Sequence, residues 1–334
     1  MTSPHTEPDS LPPQRAKLTL VPKPKTTPAS SWPAAAWPAS SFLSPWHLLS
    51  LWHLLSLDAP SVAATWTLFI ARSAGIRLPW TAPAAMFVAV WMLYAADRLL
   101  DARPLLHGQD VTGLEERHRF HHRYRNRFLA MMFPAAIFLA WLLHHSDLRA
   151  LHLYTLLAVL LAAWLLLVHA RPIETHRLPK EIAVGIFFPA AVFIPTVARA
   201  PHLRVTLLPV AIMFAAVCML NCLFLYRWEH PGDLPDAHFT EAHLTTRWAT
   251  QRMVPLGVIA LVLSVALGLL PITPMHGPFF ACAASIGLLL WLHSHHREIH
   301  PVSLRAAADL VLLSPLPLYF IYWTRSLFFI YWIR

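Results

Sequence analysis

The sequence predicts an all-α polytopic membrane protein built as a nine-helix transmembrane bundle, and three observations carry that expectation. Of 334 residues, 57% are apolar and only 13% are charged, whereas the surface of a soluble domain draws on about a quarter charged residues. Uncharged runs of about twenty residues recur along the chain, each enough to cross a hydrocarbon core of roughly 30 Å. These runs, such as 150–170, are apolar on every face, which excludes the polar-apolar alternation of an outer-membrane β-strand.

The elements follow in order. Residues 1–45 hold ten of the thirty prolines, a composition that buries too little apolar area to offset ordering entropy, and are expected to form a disordered cytoplasmic tail. From Trp46 the unit Trp-His-Leu-Leu-Ser-Leu occurs twice in tandem, ending at Leu57. It is too short to span and predicts an interfacial amphipathic helix over 46–57 anchored by Trp46 and Trp52. The transmembrane helical domain then runs over 58–334, with spans at 59–76, 78–96, 128–146, 150–170, 182–198, 205–226, 253–270, 277–294 and 308–324. Arg72 interrupts the first span and Arg325 stands near the end of the last. Pro271, Pro274, Gly277 and Pro278 break the run from Met253 to His296 into a hairpin of two helices.

The formal net charge of +9 would suggest nucleic acid in a soluble domain, but the basic residues lie between apolar runs. There they orient the chain in the bilayer, so no nucleic-acid partner is expected. With the N-terminus placed in the cytoplasm, nineteen Lys and Arg fall on the cytoplasmic side and seven on the other. This fits the positive-inside rule with the long loops cytoplasmic, and a bacterial inner membrane is the expected location. Cys218, Cys222 and Cys282 lie inside apolar runs as packing residues, and the absence of CxxC, GxGxxG, GxxxxGK[ST] and GxSxG removes redox, dinucleotide, P-loop and serine-hydrolase readings.

The polar chemistry gathers at helix ends. The second span ends Tyr94-Ala-Ala-Asp97-Arg98-Leu-Leu-Asp101, placing two carboxylates one turn apart on one helix face. Anions at a helix C-terminus call for a cation. A bound divalent ion supplies one reading, and ion pairs with Arg98 or Arg103 supply the other. The sixth span ends with Asn221, Leu225 and Glu229 at every fourth residue, flanked by Tyr226 and followed by Asp233. That stripe faces the same side of the membrane as Asp97 and Asp101. Between the fourth and fifth spans, Arg177 and Lys180 stand ready for a phosphate or for positive-inside topology.

With these residues in view, the sequence resembles the UbiA superfamily of intramembrane prenyltransferases, whose nine helices carry aspartate-rich motifs at the cytoplasmic ends of the second and sixth. Asp97 and Asp101 match the first motif, with Leu93 where the family has Asn. Asn221 and Glu229 match the second, with Leu225 at an expected acid. The stretch with His176, Arg177, Lys180 and Gly185 resembles the family's segment after its fourth helix. The resemblance implies a Mg²⁺-dependent transfer of an isoprenoid from a prenyl diphosphate to an aromatic or lipid acceptor. It implies metal contacts from Asp97, Asp101, Glu229 and Asp233, with Asn221 in the catalytic set. Arg98, Arg177, Lys180, Tyr94 and Tyr226 are the implied substrate contacts.

Two rivals are open on the sequence. His118-Arg-Phe-His121-His122 and His296-Arg-Glu-Ile-His300, with His293 and His295 before the latter, resemble the histidine boxes of membrane desaturases and hydroxylases with a di-iron site. Against them, Arg119, Arg123, Arg125 and Arg127 crowd the first box with charge that opposes a cation. The third class is a non-catalytic transporter or scaffold with a degenerate acidic site.

Overall fold

The computed structural model describes residues 45–101, 116–169, 180–229, 244–270 and 275–319, and these are helical with no strand among them. The proline-rich tail expected over 1–45 lies outside the described residues up to position 44. Helix α1 (Pro45–Leu54) meets α2 (Asp58–Ser73) at a sharp corner, and α3 (Thr81–Asp101) returns beside α2. A short α4 (Glu116–Arg123) leads into α5 (Arg125–His144), α6 (Leu148–His169) and α7 (Lys180–Arg199). A 3₁₀ turn at Pro201–Leu203 opens α8 (Arg204–Glu229), the longest helix. Helix α9 (Leu244–Gln251), α10 (Met253–Leu269), α11 (His276–His295) and α12 (Pro301–Leu310) complete the order, the last running on through a 3₁₀ turn at Val311–Leu313.

The first eight expected spans each fall on a helix, whereas the ninth, 308–324, covers the end of α12, the 3₁₀ turn and residues up to 319, with 320–324 outside the described residues. Six helices are long and apolar enough to cross a membrane, and up to eight if each of two bent pairs counts as one crossing. Two boundaries differ for physical reasons. Arg72 does not interrupt α2, because the helix ends at Ser73 and Gly75 takes the left-handed φ of +72° that closes a helix C-terminus. The last helix starts at Pro301, not at 308: proline at the first helical position loses no backbone bond. Arg305 and Asp309 on this helix are both partnered inside the bundle.

A helix, Pro45–Leu54, occupies most of the stretch expected to be interfacial, with its polar residues turned inward and leucines outward. In α1, Ser50 and His53 are buried against the bundle, whereas Leu48, Leu51 and Leu55 just beyond it face outward. Trp52 donates its indole N–H to Ser61 Oγ at 3.2 Å. The helix lies 90° to α2 and packs on α12 and α4.

The core runs along α2, α8 and α11, where apolar residues recur at helical spacing. Trp66 is fully buried, stacks on Phe214 with ring centroids 4.1 Å apart, and donates its N–H to the Leu312 carbonyl at 2.8 Å. Small residues let helices approach closely. A Cβ at Gly185 would overlap Met219 across the α7–α8 contact, and one at Gly257 would stand 3.1 Å from Leu290 across the α10–α11 contact. Around this core, α5, α6 and α10 turn large apolar side chains outward, among them Phe133, Ile137, Leu156, Val159, Ile259 and Val262. Patches of this kind are compatible with a surrounding apolar phase and rare on soluble monomers.

Candidate functional site

The α1–α2 corner begins the site. Asp58 opens α2, where a carboxylate is favoured by the helix N-terminus, and Pro60 in the same turn loses no intrahelical bond. The link between the two helices passes through Ser56, whose φ of 60° places a non-glycine residue in the left-handed region. Such a conformation persists only where its surroundings fix it. Here Arg98 of α3 does so: its Nη1 donates to the His53 carbonyl at 2.6 Å and to Ser56 Oγ at 3.0 Å, and its Nη2 donates to Asp58 Oδ2 at 3.2 Å. Ser56 Oγ also lies 3.1 Å from His121 Nε2, and the buried His121 ring stacks on Phe128.

Beneath that corner lies a cavity of about 120 Å³, lined by His53, Tyr94, Arg98, Asn221, Arg305 and Asp309 on its polar side. Val184, Phe188, Leu225 and Leu312 line its apolar side. Helices α1, α2, α3, α7, α8 and α12 therefore all contribute to it. His53 Nδ1 is 2.6 Å from Asp58 Oδ2 and 3.8 Å from Asp309 Oδ2. Asn221 Nδ2 donates to Asp309 Oδ1 at 3.2 Å, while its buried Oδ1 has no hydrogen-bond partner. Arg305 forms an ion pair with Glu229 at the end of α8. An isolated charge in such a site is strongly unfavourable, so opposed charges and hydrogen bonds are what allow it to exist.

The structure sorts the sequence-expected residues into three groups. Tyr94, Arg98 and Asn221 line the cavity, and Glu229 is linked to it through Arg305. The stripe of Asn221 and Leu225 faces the cavity as its spacing implied. Asp97 is exposed and is not among the lining residues, and Tyr226 is half-buried outside the lining. The expected pairing of Arg98 with Asp97 or Asp101 gives way to Asp58, because Arg98 points into the bundle where the buried carboxylate sits. The side chains of Asp101 and Lys180, and the whole of Arg177 and Asp233, lie outside the described residues.

His53, Asp58, Asp309 and Arg305 were not singled out from the sequence. Asp309 was legible in principle, as an acid inside an expected span, and intramembrane ionisable residues mark functional sites. Asp58 stands at a span boundary, where an acid has many ordinary reasons to be. Among the described residues the histidine boxes do not come together: His121 bonds Ser56, whereas His293 accepts from the Trp228 indole at 3.1 Å; the side chain of His118 lies outside them. Among the described residues, the group of three or more His, Cys, Asp or Glu within reach of one ion is His53, Asp58 and Asp309.

No family model, curated protein or solved structure matches the chain. Its chemistry is therefore argued from the cavity.

Magnesium, implied by the resemblance, is tested by the donors present. Mg²⁺ demands near-octahedral oxygen and dehydrates reluctantly. The cavity and the buried corner behind it offer two carboxylates and one amide oxygen with an imidazole nitrogen among them, a mixed set and not six oxygens. These donors do not fit a resident Mg²⁺ at this point; of the residues to which the resemblance assigns the ion, the side chain of Asp101 and the whole of Asp233 lie outside the described residues.

Proposed function

We propose that this protein is an integral membrane enzyme of the prenyltransferase type, a nine-crossing bundle in a bacterial cytoplasmic membrane with its N-terminus in the cytoplasm. The outward apolar faces of α5, α6 and α10 and the asymmetric distribution of Lys and Arg support the membrane placement. One observation carries the reaction class: the polar ends of α3 and α8 converge on a single cavity with arginines on one side and apolar walls on the other. A prenyl diphosphate has that same division, an anionic head on an apolar chain.

In this reading Arg305 and Asn221 receive the diphosphate and Phe188, Val184 and Leu225 accept the first isoprene unit. Guanidinium groups suit phosphate because their fork of donors matches its oxygens. The allylic carbon–oxygen bond breaks with its electron pair leaving on the diphosphate. A carbon of an aromatic or lipid acceptor forms the new bond to the allylic carbon, and its proton leaves to water. Donors held in place stabilise charge developing on the leaving group. Asp97 and Asp101 remain the acids to which the resemblance assigns magnesium; held there, the ion would neutralise charge on the leaving diphosphate.

The test is transfer of tritiated farnesyl diphosphate to 4-hydroxybenzoate by the full chain in liposomes with magnesium present. Organic-extractable label is expected from the wild type and lost in Asn221→Ala. Loss in Asp97→Ala as well supports the aspartate pair, whereas full turnover there removes Asp97 from the reaction. No transfer by the wild type across phenolic and lipid acceptors refutes the proposal.

A further inference from the structure

At the polar wall of the cavity, with Asp58 buried just behind it, stands a group of three donors that the prenyl-transfer reading leaves unused. His53, Asp58 and Asp309 come from α1, α2 and α12, and each offers one ligand atom within 4.8 Å of the other two. Two of the three are buried completely enough to exclude bulk water as their partner. A four-coordinate ion with bonds of about 2.0–2.2 Å needs ligand atoms roughly 3–4 Å apart. His53 Nδ1 and Asp309 Oδ2 already stand 3.8 Å apart. His53 Nδ1 and Asp58 Oδ2, at 2.6 Å, are bridged by a proton; a metal replacing that proton needs the pair to open by about 1 Å.

A second observation points to a ligand independently. Asn221 lines the same cavity, is 7% exposed, and anchors its amide through Nδ2 on Asp309 Oδ1. Its buried Oδ1 accepts nothing. A buried acceptor without a partner calls for an unseen donor or ion. Placed beside Asp309, this oxygen completes a fourth position or accepts from a metal-bound water.

The chemistry of the set selects the ion. One imidazole and two carboxylates are the donors of a borderline divalent metal, and three protein ligands with an open position describe a reactive zinc site. Arg98 opposes a second positive charge, but it also does what outer partners of metal carboxylates do: it bonds Asp58 and fixes the His53 backbone. The two aspartates outnumber it. We propose that His53, Asp58 and Asp309 bind Zn²⁺, with Asn221 at the open position facing the cavity. The site uses the cavity of the proposed function but does not depend on prenyl transfer.

The experiment uses the full-length protein in detergent, stripped with a chelator and then equilibrated with Zn²⁺ against an excess of Mg²⁺. After desalting, metal content is read by mass spectrometry. Near one Zn²⁺ per chain is expected for the wild type. His53→Gln and Asp309→Asn, with unchanged size-exclusion profiles, should fall to background. Zinc binding should release a proton, because the His53–Asp58 bridge is displaced. Should those variants fail to fold, Co²⁺ in the wild type decides: strong visible absorption of a four-coordinate ion supports the site, and the weak spectrum of a six-coordinate ion overturns it. Zinc retained in both folded variants, or none held against Mg²⁺, also overturns it. Transfer activity without zinc refutes the zinc site alone, and stoichiometric zinc without transfer supports it while refuting the transfer reading.

Discussion

Replacing Arg98 with methionine keeps most of the side-chain volume and deletes one guanidinium. That group makes three bonds, to the His53 carbonyl, Ser56 Oγ and Asp58 Oδ2. Asp58 is 1% exposed, and without Arg98 its carboxylate keeps His53, the Ala59 N–H and the neighbouring Asp309 carboxyl, with no cation but a protonated His53 among them. Breaking a buried ion pair from one side costs about 3–5 kcal/mol. The surviving 2.6 Å contact with His53 places this case at the lower end. A loss of about 3 kcal/mol, roughly a hundredfold in the folding equilibrium, is expected. The assay is unfolding in mixed micelles by titration with a denaturing detergent, followed by tryptophan fluorescence. Asp97→Asn, one residue away on the exposed side, should change stability by about 1 kcal/mol or less. The double variant Arg98→Met/Asp58→Asn should recover about 1–3 kcal/mol relative to additivity, because the stranded charge is gone. Additive effects, or an Arg98→Met protein within about 0.5 kcal/mol of wild type, would refute the buried pairing.

Two further outcomes test the packing that frames the cavity. Gly185→Val pushes into Met219 across the α7–α8 contact and should destabilise by roughly 1–3 kcal/mol, read in the same detergent titration. Restoration by Met219→Ala would tie the loss to that contact. Trp66→Phe leaves the Leu312 carbonyl without its buried donor and should cost about 1–3 kcal/mol in thermal unfolding followed by circular dichroism, with helix content unchanged at low temperature.

Much of the scaffold was legible in the chain order of residues. Long apolar runs specify helices because backbone polar groups in an apolar phase must be satisfied within the segment. Helix ends were less legible: α12 starts at Pro301, ahead of the expected 308, and its Arg305 and Asp309 are accommodated by partners on other helices. Their partners, Glu229, Asn221 and His53, stand on α8 and α1, far away in the chain. The inverted face of α1 was hidden for the same reason, since leucines beside a membrane and leucines beside a core look alike in sequence.

The helix ends that meet at the cavity could be read locally, and Tyr94, Arg98 and Asn221 were. Which face of α3 turns inward could not. Successive helix residues differ by about 100° in direction, so Asp97 and Arg98 cannot both point at one neighbour, and only the position of Asp58 settles which one does.

The order of apolar and polar residues by itself determined that the chain is helical and where the helices lie, because each satisfies its own backbone. It also fixed which helix ends carry polar chemistry. Only the tertiary structure decided the donor set, by bringing His53, Asp58, Asn221 and Asp309 from four helices to one point. Charges buried together stabilise one another across space, and that distance is not encoded in the spacing along any single helix.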